Sequence, residues 1–281
     1  MRRYLMGSVF ATVFVLSISL LVIPRLATRL SAETSQAAAS TADLTGIWSP
    51  PRTPKGFLPY SFSPEAPPPM QPWAAKRCDA VGCGKGQLGR AVDDSMDPYI
   101  TSCAPFGIPR VLNNVAPFEI LQTPGRVLML FEAGNSLRQI WTDGRGHPAD
   151  LDATWMGNSI GQWDGDTLVV DTIGLNDKTW LDTAGHPHSD ALHIVERIRR
   201  LDHDTLENNL TFDDPKTYTK PWTSKIIYKL HPDWVIREDI ACEDRILMDL
   251  KAKKSKIFPY QQYPMIFPVE EIPRPVIPAD H

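Results

Sequence analysis

Residues 192–242 contain four successive stretches in which apolar side chains recur at even positions, and this alternation constrains the fold most. Side chains at i and i+2 of a strand share a face, so each stretch reads as a half-buried strand. In LHIVERIRR the even face holds Leu192, Ile194, Glu196 and Ile198. The odd face holds His193, Val195, Arg197 and Arg199. LDHDT reads as a three-residue hairpin loop pairing Leu201 with Thr205, which sets Glu196 opposite Leu210. Leu206, Asn208, Leu210 and Phe212 extend the same face. Ile226, Tyr228 and Leu230 continue it, and Trp234, Ile236, Glu238, Ile240 and Cys242 end the series. The expected inner wall is apolar and punctuated by Glu196, Asn208, Tyr228 and Glu238.

Five more β-rich runs precede these four, at 118–122, 126–132, 136–142, 159–163 and 166–173. With 192–200, 205–213, 223–230 and 234–242 they make nine short segments divided by turn signals. That pattern predicts an all-β fold, an antiparallel barrel of lipocalin-like shape, with little helix. Asp164-Gly165 reads as a type I′ turn. Pairing Trp163 with Asp166 places Asn158 opposite Asp171 and Gln162 opposite Thr167 on one face. That face is either a substrate-binding one or the wet side of the sheet.

An unpaired carboxylate on an apolar wall is costly unless it is hydrogen-bonded or protonated. Glu196 and Glu238 therefore have two readings. Either each forms a structural ion pair with an arginine such as Arg110, Arg126 or Arg138, or the wall encloses a pocket that uses them.

The termini differ in character. Residues 4–23 form an uncharged run of 20 residues behind Arg2 and Arg3, the layout of an export signal or an uncleaved membrane anchor. Residues 1–32 are assigned to that segment and 33–43 to a linker. The barrel domain is expected over 44–258, with a Pro-rich strap at 50–72 and a second at 259–281. Nine prolines in 50–72 and six between Pro259 and Pro278 favour extended, irregular paths over the surface. The expected location is periplasmic or secreted, with membrane contact only through residues 4–23 if they are retained.

Charge and cysteines narrow the partners. Residues 1–32 carry four arginines and no acid, so the remainder stands at −8, four below the −4 of the whole chain. That argues against nucleic acid and anionic lipid. Four cysteines in an exported chain read as disulfides, of which Cys78–Cys83 with Cys103–Cys242 is the preferred pairing.

Two polar loops carry histidines: TDGRGHP at 142–148 and TAGHPHSD at 183–190. Proline holds HPH extended, so His186 and His188 can present their rings on one side. His147 would supply a third imidazole, with Asp190, Asp182 or Asp143 as carboxylate ligand or orienting partner. The alternatives are a divalent-metal centre, acid/base use of one imidazole, or turn-capping histidines. Arg145 can clamp an anionic group or pair with Asp143 or Asp150. GNSIG at 157–161 and GKGQLG at 84–89 match GxSxG and GxGxxG as strings, but there is no GxSxG elbow and no GxGxxG after a strand. No P-loop or CxxCH occurs either, which removes the commonest serine hydrolase, kinase, dehydrogenase and haem readings.

TGIW at 45–48 resembles the GxW element that opens lipocalin-type barrels, whose tryptophan plugs one end. DLTGIW, CAPFGIPR, FEILQTP, IWTDGRGHP, SIGQWDGDTLVVDTIG, GHPHSDALHIVER and DDPKTYTKPW resemble a family of secreted proteins of soil proteobacteria and acidobacteria. The likeness spans roughly residues 43 to 244. It implies export and a shared fold, and it carries over no catalytic residues.

The first functional expectation is an enzyme doing lyase, hydrolase or isomerase chemistry on a small, partly apolar molecule. Glu196 and Glu238 would be acid and base, Tyr228 and Asn208 would orient the substrate, and His186, His188 and His147 would stand at the mouth. It calls for no cofactor. The alternatives are a lipocalin-like carrier of a lipophilic ligand and a metal-dependent enzyme using the loop histidines.

Overall fold

Nine strands close into a barrel in sequence order, the first pairing with the last. They are β1 (Gly46–Ser49), β2 (Phe118–Thr123), β3 (Arg126–Phe131), β4 (Ser136–Trp141), β5 (Asn158–Asp164), β6 (Thr167–Ile173), β7 (His193–Asp202), β8 (Thr205–Asp213) and β9 (Trp222–Leu230). The computed structural model describes residues 42–51 and 61–242. Those from Asp43 onward belong to one compact unit. The export-signal segment and the C-terminal strap lie outside the described residues, among which no helix is long and apolar enough to cross a membrane.

Alternation builds the barrel. Ile194, Glu196 and Ile198 of β7 are buried, as are Leu206, Asn208, Leu210 and Phe212 of β8 and Ile226 and Tyr228 of β9. Glu196 stands opposite Leu210, the expected register. It is reached differently, because Asp202 pairs with Thr205 and the extra residue is absorbed by a bulge between Arg200 and Asp202. Leu201 is thereby turned outward and exposed. At the β5–β6 hairpin Asp164 pairs with Thr167 and Asn158 with Ile173. The pairing is thus displaced by two residues from the expected one, which preserves the faces, since the side-chain period is two.

Two expectations are corrected. The barrel is mixed, because β4 and β5 pair in parallel while the other neighbours are antiparallel. A parallel pair needs a long crossover, here residues 142–157, which carry the first histidine loop. The segment 234–242 is not a strand: Trp234, Val235 and Ile240 are exposed, and β1 supplies the ninth strand instead. Alternation alone could not reveal that residues 234–242 lack a strand to pair with.

Trp48 of β1 is fully buried and donates from Nε1 to the Leu44 carbonyl at 3.0 Å. The Arg200 guanidinium lies 5.2 Å over its ring. Phe118, Phe131 and Tyr228 form an aromatic cluster in the interior.

Helix α1 (Pro72–Val81) lies outside the barrel, as does the short α2 (Pro98–Ser102). Pro72 suits the first turn of α1, where no N–H partner is needed. Gly82 ends it in the left-handed region at φ 64°. The Cys83 N–H then donates to the Cys78 carbonyl at 3.0 Å, and the Cys78–Cys83 disulfide ties the same two residues. The second disulfide joins Cys103 to Cys242, completing the expected pairing. Two disulfides fit an oxidising, non-cytoplasmic setting.

Candidate functional site

The site begins with what the barrel interior does with its acid. Glu196 is fully buried and forms an ion pair with Arg138, whose Nη2 donates to Oε2. Its Oε1 accepts from Asn208 Nδ2 at 2.8 Å. Arg138 also donates to Ser159 Oγ at 3.1 Å and Thr172 Oγ1 at 2.9 Å. Both oxygens of the acid are engaged, so Glu196 is a structural partner of Arg138 and not a free base. Tyr228 donates to the Leu112 carbonyl at 2.9 Å. Burial, reinforced by the Glu196 charge, pushes its hydroxyl well above the ordinary 10.0. Glu238 is corrected outright. It is exposed on the irregular segment after β9, beside Arg110, Arg237 and Asp239 in a cavity of about 550 Å³. The pairing of two glutamates as acid and base therefore falls.

His147, His186 and His188 do not converge. His147 binds Asn158 Oδ1 through Nδ1 at 2.6 Å and Asp171 Oδ1 through Nε2 at 3.0 Å. His193, which sequence reasoning left unused on the odd face of β7, binds Asp171 Oδ2 at 3.0 Å. Asn158 and Asp171 are thus joined on the outer face of β5 and β6, where His147 pins the β4–β5 crossover. Arg145 pairs with Asp143 at 2.6 Å and lies over the Trp141 ring, the structural alternative of the two.

The HPHSD loop is buried from Leu181 to His188, not solvated at a barrel mouth. Residues 61–72 of the Pro-rich strap pack against it; residues 52–60 lie outside the described residues. Phe62 of the strap packs on Phe212 and donates its backbone N–H to Asp182 Oδ2 at 3.0 Å. Asp214 accepts from Ser189 N at 2.7 Å and Oγ at 2.6 Å, and Tyr218 donates to the Pro187 carbonyl at 2.7 Å. Asp190 faces solvent and pairs with Lys216.

Within this loop the two histidines differ. His186 Nδ1 donates to Asp182 at 2.8 Å, and the carboxylate also accepts the His186 backbone N–H. Of the three acids considered as its orienting partner, Asp182 is the one that serves. Burial works against the charged ring, but the Asp182 charge and hydrogen bond outweigh it, and His186 titrates above its ordinary 6.5. His188 has only the Ser189 carbonyl on Nδ1, its Nε2 is buried without a partner, and burial pushes it below 6.5.

His186 lines a cavity of about 720 Å³ between the strap, α1 and the Cys78–Cys83 loop. Pro64, Ala66, Pro67, Met70, Ala75 and Leu88 give it apolar walls. The volume suits a small organic molecule. Cys78 and Cys83 share this wall, and their sulfurs and a ring nitrogen of His186 lie within 4.8 Å of one another. These are metal-ligand types, the group of that kind found among the described residues. Sulfurs bonded to each other are not thiolates, however, so the oxidised set does not fit a metal. Nothing in the local sequence of HPHSD announced this cavity, because its walls come from segments more than 90 positions away in the chain. No family model, curated protein or solved structure matches this chain.

Proposed function

We propose that the protein is an exported enzyme, periplasmic or secreted, that performs acid/base chemistry on a small, partly apolar molecule held in the cavity beneath the strap. One observation carries this reading: His186 stands in the cavity wall with Nδ1 tied to a buried carboxylate. That bond fixes the tautomer and leaves Nε2 to accept or deliver a proton. Asp182 is the positioning residue, and its charge and hydrogen bond favour the protonated ring, which makes His186 a stronger base than a free imidazole. Hydrolase, lyase and isomerase chemistry all use such a group, and an activated ester reports an imidazole base directly. The test is turnover of p-nitrophenyl esters of increasing acyl length. His186→Gln is expected to lower kcat by about 10²–10⁴-fold with KM little changed. Equal turnover by parent and variant overturns the reading.

The cavity's apolar lining also supports a carrier of a lipophilic ligand. That reading predicts a co-purified ligand in native mass spectrometry, with affinity unaltered in His186→Gln.

A further inference from the structure

The Cys78–Cys83 disulfide sits where a proton-transfer group can reach it. Its sulfurs are within 4.8 Å of a ring nitrogen of His186, and all three residues line one cavity. Asp182 occupies Nδ1, so Nε2 is the nitrogen available to sulfur. We propose that Cys78, Cys83 and His186 form a thiol–disulfide exchange centre that admits small thiols and dithiols with an apolar part. This rests on the reading that His186 moves a proton at the cavity wall.

The geometry assigns the order of events. Cys83 is partly exposed and Cys78 is buried in the last turn of α1. An incoming thiol therefore meets Cys83 first. Neutral His186 takes the thiol proton as the substrate sulfur bonds to Cys83 Sγ. The Cys78–Cys83 bond breaks, its electron pair goes to Cys78 Sγ, and the imidazolium returns the proton there. With a dithiol, the second thiol attacks the substrate sulfur held on Cys83. The substrate leaves as its own disulfide, and Cys83 takes the second proton. The dithiol has lost two electrons and two protons, and the centre has gained them. A small organic disulfide reoxidises the centre by the same steps in reverse.

Three further features favour this. The Gly84 N–H donates to the Ala184 carbonyl at 3.0 Å and the Ala91 N–H to Thr183 at 3.2 Å, which locks the histidine loop onto the cysteine loop. Gly185, at φ 98°, is so close that a Cβ there would lie 3.3 Å from Cys83 Sγ. The negative end of the α1 dipole disfavours a lasting thiolate at Cys78, which makes proton return by His186 necessary.

The test uses the full chain with both disulfides formed, incubated with reduced glutathione, quenched by alkylation and read by peptide mass spectrometry. Cys78–Cys83 is expected to open at least about tenfold faster than Cys103–Cys242, with glutathione captured on Cys83. His186→Gln is expected to slow that opening about 10²-fold and leave a pH profile set by the attacking thiol alone. Asp182→Asn, about tenfold slower, serves if the first variant does not fold. Opening no faster than Cys103–Cys242, capture on Cys78, or an unchanged rate in the variant overturns the proposal. Ester turnover lost in His186→Gln with disulfide opening unchanged removes this centre and leaves the acid/base reading. Neither rate changing removes both.

Discussion

Replacing Glu196 with Gln keeps the side chain's shape and removes its charge. Glu196 and Arg138 are 0% and 1% exposed, so water hydrates neither. After the change Arg138 retains only neutral acceptors, Ser159 Oγ at 3.1 Å and Thr172 Oγ1 at 2.9 Å. Breaking a buried pair from one side costs about 3–5 kcal/mol. The two hydroxyls and the retained Asn208 contact place this case near the lower end, about 3 kcal/mol. In a domain of about 150–250 residues each kcal/mol moves Tm by about 2–4 °C, so a fall of about 6–12 °C is expected. Glu196→Leu combined with Arg138→Met removes both charges and is expected to recover most of the loss, because nothing charged is left buried. The assay is urea unfolding of the parent, Glu196→Gln, the singles Glu196→Leu and Arg138→Met and their double, with disulfides intact and the coupling taken from the Leu/Met cycle. Glu196→Gln within about 1 kcal/mol of the parent refutes the ion-pair account, as does a double variant no more stable than either single. Turnover per folded molecule should not change in any of these variants.

The two loop histidines give a pH signature. His186 titrates above 6.5 when folded, so its stabilisation is complete below about 6.5 and fades as pH rises through the folded value. His188 titrates below 6.5, so the unfolded chain takes its proton first and stability falls as pH drops below about 6.5. Urea midpoints from about pH 5 to pH 8.5 should therefore pass through a maximum, with His186→Gln flattening the alkaline limb and His188→Gln the acid limb. Curves parallel in all three proteins defeat this assignment. Among the disulfides, a Cys103→Ala/Cys242→Ala variant should lose about 5 kcal/mol and a Cys78→Ala/Cys83→Ala variant about 2 kcal/mol, from separations of 139 and five. Calorimetric melts showing the reverse order contradict the chain-entropy basis.

Alternation told which way side chains point, and it could tell nothing of what they meet. Glu196 opposite Leu210 was legible because the bulge between Arg200 and Asp202 takes up the one residue by which the turn is shorter than expected, which restores the even-to-even pairing. Its partner Arg138 was not singled out, since three arginines were equally compatible with an inward acid. Glu238 carried the same alternating signature as Glu196 yet lies outside the barrel, because β1 already occupies the edge of β9. The parallel β4–β5 pair was hidden for a related reason: a polar loop with Asp-Gly turns looks alike whether it reverses the chain or carries it across. The His186–Asp182 contact, four positions apart, was within reach of the sequence. The cavity was not, since it exists only once a proline strap has been laid over the loop and a disulfide set beside the ring. The described part of the strap has no regular ladder and so leaves no periodic trace, and it is this part that sets a buried, charge-paired histidine in the wall of a cavity. In this chain the barrel supplies the framework, and the segments with the least pattern enclose the cavity.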